Sequence, residues 1–231
     1  MERDQIRRFL ESIKLFSKPH PWHGINIGDD APRKTKVFIE LVPGDTMKYE
    51  LDKESGYLKV DRPQRFSNIC PTPYGFVPRT LCAEKVAAFC MEKTGRSGII
   101  GDGDPLDICV ITERNIPHGN LILDAIPIGG LRMIDGEEAD DKIVAVLSGD
   151  ASFGQIRDIS EIPIHMIDRL SHYFLTYKEK PFSDEKRECE ITHIYGRDEA
   201  FEVINRSVKD YNKRFDVDKR KLLKIIQTGL K

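Results

Sequence analysis

The sequence predicts a mainly β protein of the α+β kind, with one closed or highly twisted sheet and helices packed on its outside. Three observations carry this. Period-two alternation of apolar and polar residues marks Thr35 to Val60 and then Asp107 to Leu147. Helical spacing dominates only after about Ile162. The order is strands first and helices last, without the regular strand and helix alternation of a parallel sheet. At 231 residues, 39% hydrophobic and 32% charged, the chain has material for a substantial core inside a highly charged exterior.

Element by element, the start mixes acids and bases with Ile6, Phe9, Leu10, Ile13, Leu15 and Phe16 near helical spacing. It reads as an amphipathic helix rather than a signal peptide, which would need an unbroken apolar centre. A loop from Lys18 to Lys34 contains P-H-P-W-H-G; its two histidines have no ligand set near them and read as packing. T-K-V-F-I-E-L-V and M-K-Y-E-L predict strands, followed by the turn D-K-E-S-G and the strand Y-L-K-V. Glu40 falls among apolar neighbours on either face of the first strand, so it needs a partner, and Lys48 and Glu50 project together from the second.

Pro63, Pro71, Pro73 and Pro78 stiffen the loop that follows. A-E-K-V-A-A-F-C-M-E-K predicts a short helix ended by T-G-R-S-G. Strands resume with D-I-C-V-I-T, L-I-L-D-A-I-P-I-G-G-L-R-M-I, a highly acidic turn and K-I-V-A-V-L. Helices are then expected over about Ile162 to Tyr177 and Glu199 to Tyr211, with a separate charged C-terminal piece carrying Leu222, Leu223, Ile225 and Ile226. No internal repeat or low-complexity segment is present.

A net charge of -2 is too small for a general binder of nucleic acid or anionic membranes, so any anion must be met by local Lys and Arg. Five cysteines, Cys70, Cys82, Cys90, Cys109 and Cys189, are odd in number and lack C-x-x-C spacing. That argues against a disulfide framework and a thiolate zinc site, and predicts a cytoplasmic location. No apolar run approaches the ~18 residues of a membrane span.

Chemistry concentrates in G-D-G-D-P-L-D, Gly101 to Asp107. Two carboxylates about 4 Å apart repel by roughly 4 kcal/mol at an effective dielectric near 20, so the cluster needs solvent, protons or a cation. Gly103 and Pro105 disfavour a helix, and an extended or turning backbone places Asp102 and Asp104 about 7 Å apart on one side. Hard oxygen donors without His or Cys suggest Mg²⁺, an ion that usually meets phosphate. An acidic surface turn is the plain alternative. An EF-hand fails, because Leu106 and Asp107 occupy its fifth and sixth positions. A nucleotide-sugar D-x-D site lacks its usual alternating βαβ plan.

The second cluster, D-G-E-E-A-D-D-K from Asp135 to Lys142, taken alone reads as a solvated hairpin tip. Brought beside the first, it can bind several divalent ions, as in two-metal hydrolysis. Lys48, Arg62, Tyr74, Lys142, Tyr177 and Lys178 are candidate phosphate donors, each unremarkable by itself.

These segments together resemble the soluble inorganic pyrophosphatases of family I. G-D-G-D-P-L-D-I looks like the family's D-x-D-P-x-D signature at Asp102, Asp104 and Asp107. V-F-I-E-L, M-K-Y-E-L-D-K-E-S-G-Y-L-K-V-D-R, P-Y-G-F-V-P-R-T-L, M-I-D-G-E-E-A-D-D-K-I-V-A-V and H-Y-F-L-T-Y-K-E-K follow in the family's order over roughly Lys36 to Lys180. The resemblance implies a five-stranded closed OB-like β-barrel with flanking α-helices and a polar cavity. It implies Mg²⁺-dependent hydrolysis of pyrophosphate to two phosphates by metal-activated water, with several Mg²⁺ per site.

By the same resemblance, Asp102, Asp107, Asp135 and Asp140 ligate metal, and Asp104 takes a proton from the attacking water. Lys48, Arg62, Tyr74, Lys142, Tyr177 and Lys178 bind phosphate, and Glu40 and Glu50 support the cavity. Cys70 stands where compact bacterial members resemble one another in carrying tyrosine. One domain over residues 1–231 is expected, with an N-terminal helix and loop extension over 1–34, an insertion over 82–100 and a C-terminal extension over 213–231. A homo-oligomer is expected, with no nucleic-acid or membrane partner. Two other classes compete: a barrel that binds single-stranded nucleic acid, which the acidic clusters would repel, and a purely structural metal site.

Overall fold

The structure, a computed structural model, describes residues 17–179 and 189–228. The expected N-terminal amphipathic helix lies outside the described residues. β1 (Thr35–Leu41), β2 (Met47–Leu51) and β3 (Leu58–Pro63) form where the alternation predicts them. β4 (Tyr74–Phe76) is a three-residue strand inside the proline-rich loop, too short between Pro73 and Pro78 to show a period. α1 (Glu84–Thr94) follows, then β5 (Ile100–Gly101), β6 (Asp107–Ile111), β7 (Leu121–Asp135), β8 (Glu138–Ala139) and β9 (Lys142–Leu147). α2 (Ile164–Thr176), β10 (Cys189–Gly196) and α3 (Arg197–Thr228) complete the order.

The strands close on themselves. β1 pairs with β4, β4 with β6, β6 with β9, β9 with β7, and β7 returns to β1 through Thr35 opposite Ala125 and Ile39 opposite Leu121. This five-stranded ring is the closed sheet the sequence predicts, with one parallel contact, β6 to β9. β7 can serve β1, β8, β9 and β10 because it runs 15 residues and slips register between Pro127 and Gly129, a bulge that bends the strand. β2 and β3 form a separate hairpin.

Two apolar clusters cover the ring. One joins Val37, Ile39, Ile108, Ile134 and Ile143 to α1 through Phe89 and to α3 through Val203 and Ile204. The other joins Leu131, Met133, Val144 and Val146 to α2 through Leu170, Tyr173 and Phe174. Alternate residues of β9 enter different clusters, as the period of a strand buried on both faces requires.

Two expectations change. The helix beginning at Arg197 does not stop at Tyr211; it continues to Thr228, because Asn212 to Arg220 contains neither Gly nor Pro. β10 is not predicted by the sequence, since the register slip between Ile191 and His193 breaks the alternation that would mark it. The short helix predicted after Cys82 is present and ends at Gly95 in the left-handed region. Its cap is remote: Ala83 offers no side-chain acceptor, and Asp210 of α3 accepts from the backbone N–H groups of Ala83, Lys85 and Val86. The P-H-P-W-H-G loop packs as expected, with Trp22 Nε1 donating to the Thr80 carbonyl at 2.7 Å.

Candidate active site

Strand pairing explains why two acidic segments 30 residues apart in sequence meet. β5 runs parallel to β8 with Gly101 opposite Ala139, and β6 runs parallel to β9 with Asp107 opposite Lys142. Gly101 to Asp107 and Ala139 to Lys142 are therefore adjacent. Within the first segment Leu106 is fully buried, and its N–H donates to Thr80 Oγ1 at 2.9 Å. Gly103, at φ 77° where a Cβ is disfavoured, turns the chain, and Asp104 N–H donates to Asp102 Oδ1 at 2.8 Å. The buried Leu106 anchors the loop while the flanking carboxylates face the opening.

They face a cavity of about 210 Å³. Its lining gathers Glu40, Glu50, Asp102, Asp104, Asp107, Asp135, Glu138 and Asp140 with Lys48, Lys53, Lys142, Lys178, Tyr74 and Tyr177. Of the residues singled out from sequence, Arg62 alone is absent from the lining. It lies just behind, its guanidinium 5.4 Å from the centre of the Tyr177 ring, with Nη1 buried and without a hydrogen-bond partner. Lys53, Glu138 and Asp61 were missed. Lys53 belongs to D-K-E-S-G, where turn chemistry is the whole local signal. Nothing in residue type separates Glu138 from Glu137. Asp61 accepts from Lys48 at 3.0 Å, a contact set by hairpin register.

Eight carboxylates against four lysines leave the lining short of positive charge, and the titration of the acids reflects it. Burial, reinforced by Asp140 and Asp107, lifts Asp102 to about 8. Glu40 rises to about 8 for the same reason, burial first and Asp107 second, although it accepts the Leu51 N–H at 2.7 Å. Asp140 is also raised, mainly by burial, with Lys142 opposing. Asp135 goes the other way: burial would raise it, but hydrogen bonds from Lys178 and Cys189 hold it below the usual carboxylate range.

The lysines serve as the counter-charges. Lys142 donates to both Asp107 and Asp140, Lys178 to Asp135, Lys53 to Asp104 and Lys48 to Glu50. Tyr74 donates to Asp107 Oδ2 at 2.5 Å. Among the described residues no three His, Cys, Asp or Glu side chains are drawn together tightly enough to enclose an ion as they stand. The donor set nevertheless fits a hard divalent cation, being wholly carboxylate and anionic beyond what its lysines balance.

A family profile described as inorganic pyrophosphatase matches residues 37–212. The chain belongs to the inorganic pyrophosphatase family. Members of this family hydrolyse pyrophosphate to phosphate and use a divalent metal cofactor. An inorganic pyrophosphatase of Chlamydia trachomatis is 50% identical over 199 residues, covering 85% of this chain and 95% of that one. A soluble inorganic pyrophosphatase of rice is 36% identical over 192 residues, covering 83% and 79%. The crystal structure of the inorganic pyrophosphatase from Thermus thermophilus superposes with a TM-score of 0.69 at 28% identity, covering 84% of this chain and 99% of that one. The five-stranded ring with flanking helices is thus this pyrophosphatase family's fold.

Proposed function

We propose that the cavity bounded by β2, the Gly101 to Asp107 loop and the β7 to β9 turn hydrolyses inorganic pyrophosphate to two phosphates with Mg²⁺ as cofactor. The observation that carries this is the gathering of eight carboxylates and four lysines around one small cavity, in a chain of the pyrophosphatase family. Asp102, Asp107, Asp135 and Asp140 would hold the ions, Mg²⁺ being favoured by donors that are all carboxylate oxygen. Bound there, the ions would supply Lewis-acid polarisation and make an attacking water more acidic.

Asp104 takes the proton released as the water oxygen bonds to one phosphorus. The bond from that phosphorus to the bridging oxygen breaks in line, and the bridging oxygen leaves with the second phosphate. Lys48, Lys142 and Lys178 are long enough to exchange carboxylate for phosphate oxygen, and Arg62 brings an unpartnered donor beside them. Tyr177, stacked against Arg62 and Lys178, fixes where those cations sit and offers its phenol to the substrate. Tyr74 directs its hydroxyl to Asp107 and orients that carboxylate. Glu40 and Glu50 support the hairpin, Glu40 through Leu51 N–H and Glu50 through Lys48.

The chain acts in the cytoplasm, a reading supported by five free, buried cysteines. It forms a homo-oligomer, supported by the exposed Phe66, Ile69 and Ile164. Phosphate release from pyrophosphate, with and without Mg²⁺ and chelator, tests the activity. Release that requires Mg²⁺ and stops with chelator is expected; no Mg²⁺-dependent release by a folded sample overturns the proposal.

A further inference from the structure

Asp141 sits between two residues of the cavity and takes no part in it. Asp140 and Lys142 line the opening, whereas Asp141 is 1% exposed and bonded on the opposite side of the strand. Its Oδ2 accepts from Arg132 Nη1 at 3.1 Å and its Oδ1 accepts from the Tyr195 hydroxyl at 3.3 Å. Arg132 is 0% exposed, donates through Nη2 to Glu199 Oε1 at 2.7 Å and lies 4.9 Å from the Tyr195 ring centre. Gly130 makes this arrangement possible, since a Cβ there would fall 2.4 Å from the Tyr195 hydroxyl oxygen.

The position of the pair in the ladder is informative. β7 and its partners keep one register across the turn, Ile134 opposite Ala139 and Leu131 opposite Lys142, which sets Arg132 opposite Asp141. A slip of one residue would exchange the two faces, turning Asp140 and Lys142 into the core and Asp141 into the cavity. Apolar packing resists such a slip weakly at this point, because Asp140, Asp141 and Lys142 are three consecutive polar residues. A buried ion pair resists a slip toward Lys142 strongly: that lysine would then face Arg132, leaving two cations to share Glu199 among Phe89, Tyr195 and the apolar cluster behind them.

We propose that the buried Arg132 and Asp141 pair, braced by Tyr195 and Glu199, is a register lock whose task is to aim Asp140 and Lys142 into the cavity. These are positioning residues, acting on the ion and phosphate site from the far side of the sheet. The inference rests on the roles proposed above for Asp140 and Lys142.

Replacing both partners by apolar residues of similar size separates positioning from stability, since such exchanges leave buried pairs as stable or more so. The variant Arg132→Met with Asp141→Leu is expected to stay folded and to melt within about 10 °C of the parent, the loss of the Tyr195 hydroxyl's acceptor offsetting the gain from removing the buried pair. Calorimetric titration of the substrate-free protein with Mg²⁺ is expected to show affinity weakened by about 10-fold or more, the size of effect that removing an orienting partner has on a metal site. Arg132→Lys keeps the charge but loses the fork that spans Asp141 and Glu199, and is expected to weaken Mg²⁺ binding without unfolding the chain. Affinity within about twofold of the parent, in the double variant or in Arg132→Lys if the double variant does not fold, overturns the lock. Parent protein that binds Mg²⁺ but releases no phosphate would sink the catalytic reading alone, while Mg²⁺ binding by none of the proteins would sink both.

Discussion

Asp102, Asp104 and Asp107 share one motif but not one environment. Asp102 is buried near Asp140 and Asp107, Asp107 accepts from Tyr74 and Lys142, and Asp104 meets Lys53 from the hairpin turn. The proton-accepting role proposed for Asp104 thus belongs to the one carboxylate of the three that is not held among the other acids. In Asp104→Asn, kcat is expected to fall by about 10² to 10⁴, the usual contribution of a positioned base. Mg²⁺ affinity and melting temperature should stay close to the parent, and turnover above about a tenth of the parent rate would remove Asp104 from that role. Leu106 predicts a different phenotype. It is fully buried, so Leu106→Ala should cost about 2 to 5 kcal/mol in urea denaturation. The three aspartates were legible in sequence because Gly103 and Pro105 left them nowhere helical to go. Lys53 was not, since a lysine in a turn carries no mark of the loop it will face.

At the scale of elements, the segment over 82–100 has a describable role: its first residue, just ahead of α1, closes the back of the acidic loop. Cys82 N–H donates to the Asp104 carbonyl at 2.8 Å, and the Cys82 carbonyl accepts from Gly103 N–H at 3.0 Å. α1 in turn hangs on Asp210, whose carboxylate is 2% exposed and takes three of its N-terminal N–H groups. Asp210→Ala would leave those donors without a charged acceptor and create a small void, at a cost of about 1 to 3 kcal/mol. Asp210→Asn should recover part of it, because the amide oxygen can still accept. Equilibrium urea denaturation with amide hydrogen exchange at Lys85 and Val86 is the measurement; exchange unchanged in Asp210→Ala would show that α1 is capped otherwise. The helix itself was readable from its apolar spacing and its T-G-R-S-G stop. Its cap was not, because the acceptor lies more than 120 residues away on another helix.

For the whole molecule, alternation in the sequence revealed strands but not ring closure, which depends on β1 meeting β7 across some 86 residues. The same kind of distant contact ties the loop over residues 18–34 to α3. His23 stacks on Trp22 with ring centres 4.5 Å apart, lies 4.8 Å from the Phe215 ring, and shares a 2.9 Å hydrogen bond with the Tyr211 hydroxyl. Burial, then the neighbouring His20 and Arg79, lower its pKa from 6.5 to about 4. The folded state thus keeps His23 neutral where the unfolded chain would protonate it. Stability from this group is complete above pH 6.5, falls as pH drops, and is lost by about pH 4. With partial solvent exposure discounted, the contribution is about 1 to 2 kcal/mol, or a few degrees of melting temperature. Glu40 and Asp102, raised to about 8, act in the opposite sense, so the parent melting curve alone would mix the two. His23→Gln keeps a polar partner for Tyr211 and does not titrate. The parent should therefore lose its advantage over His23→Gln between pH 7 and pH 4.5, and a difference that stays flat over that interval would show that His23 is not held neutral in the fold.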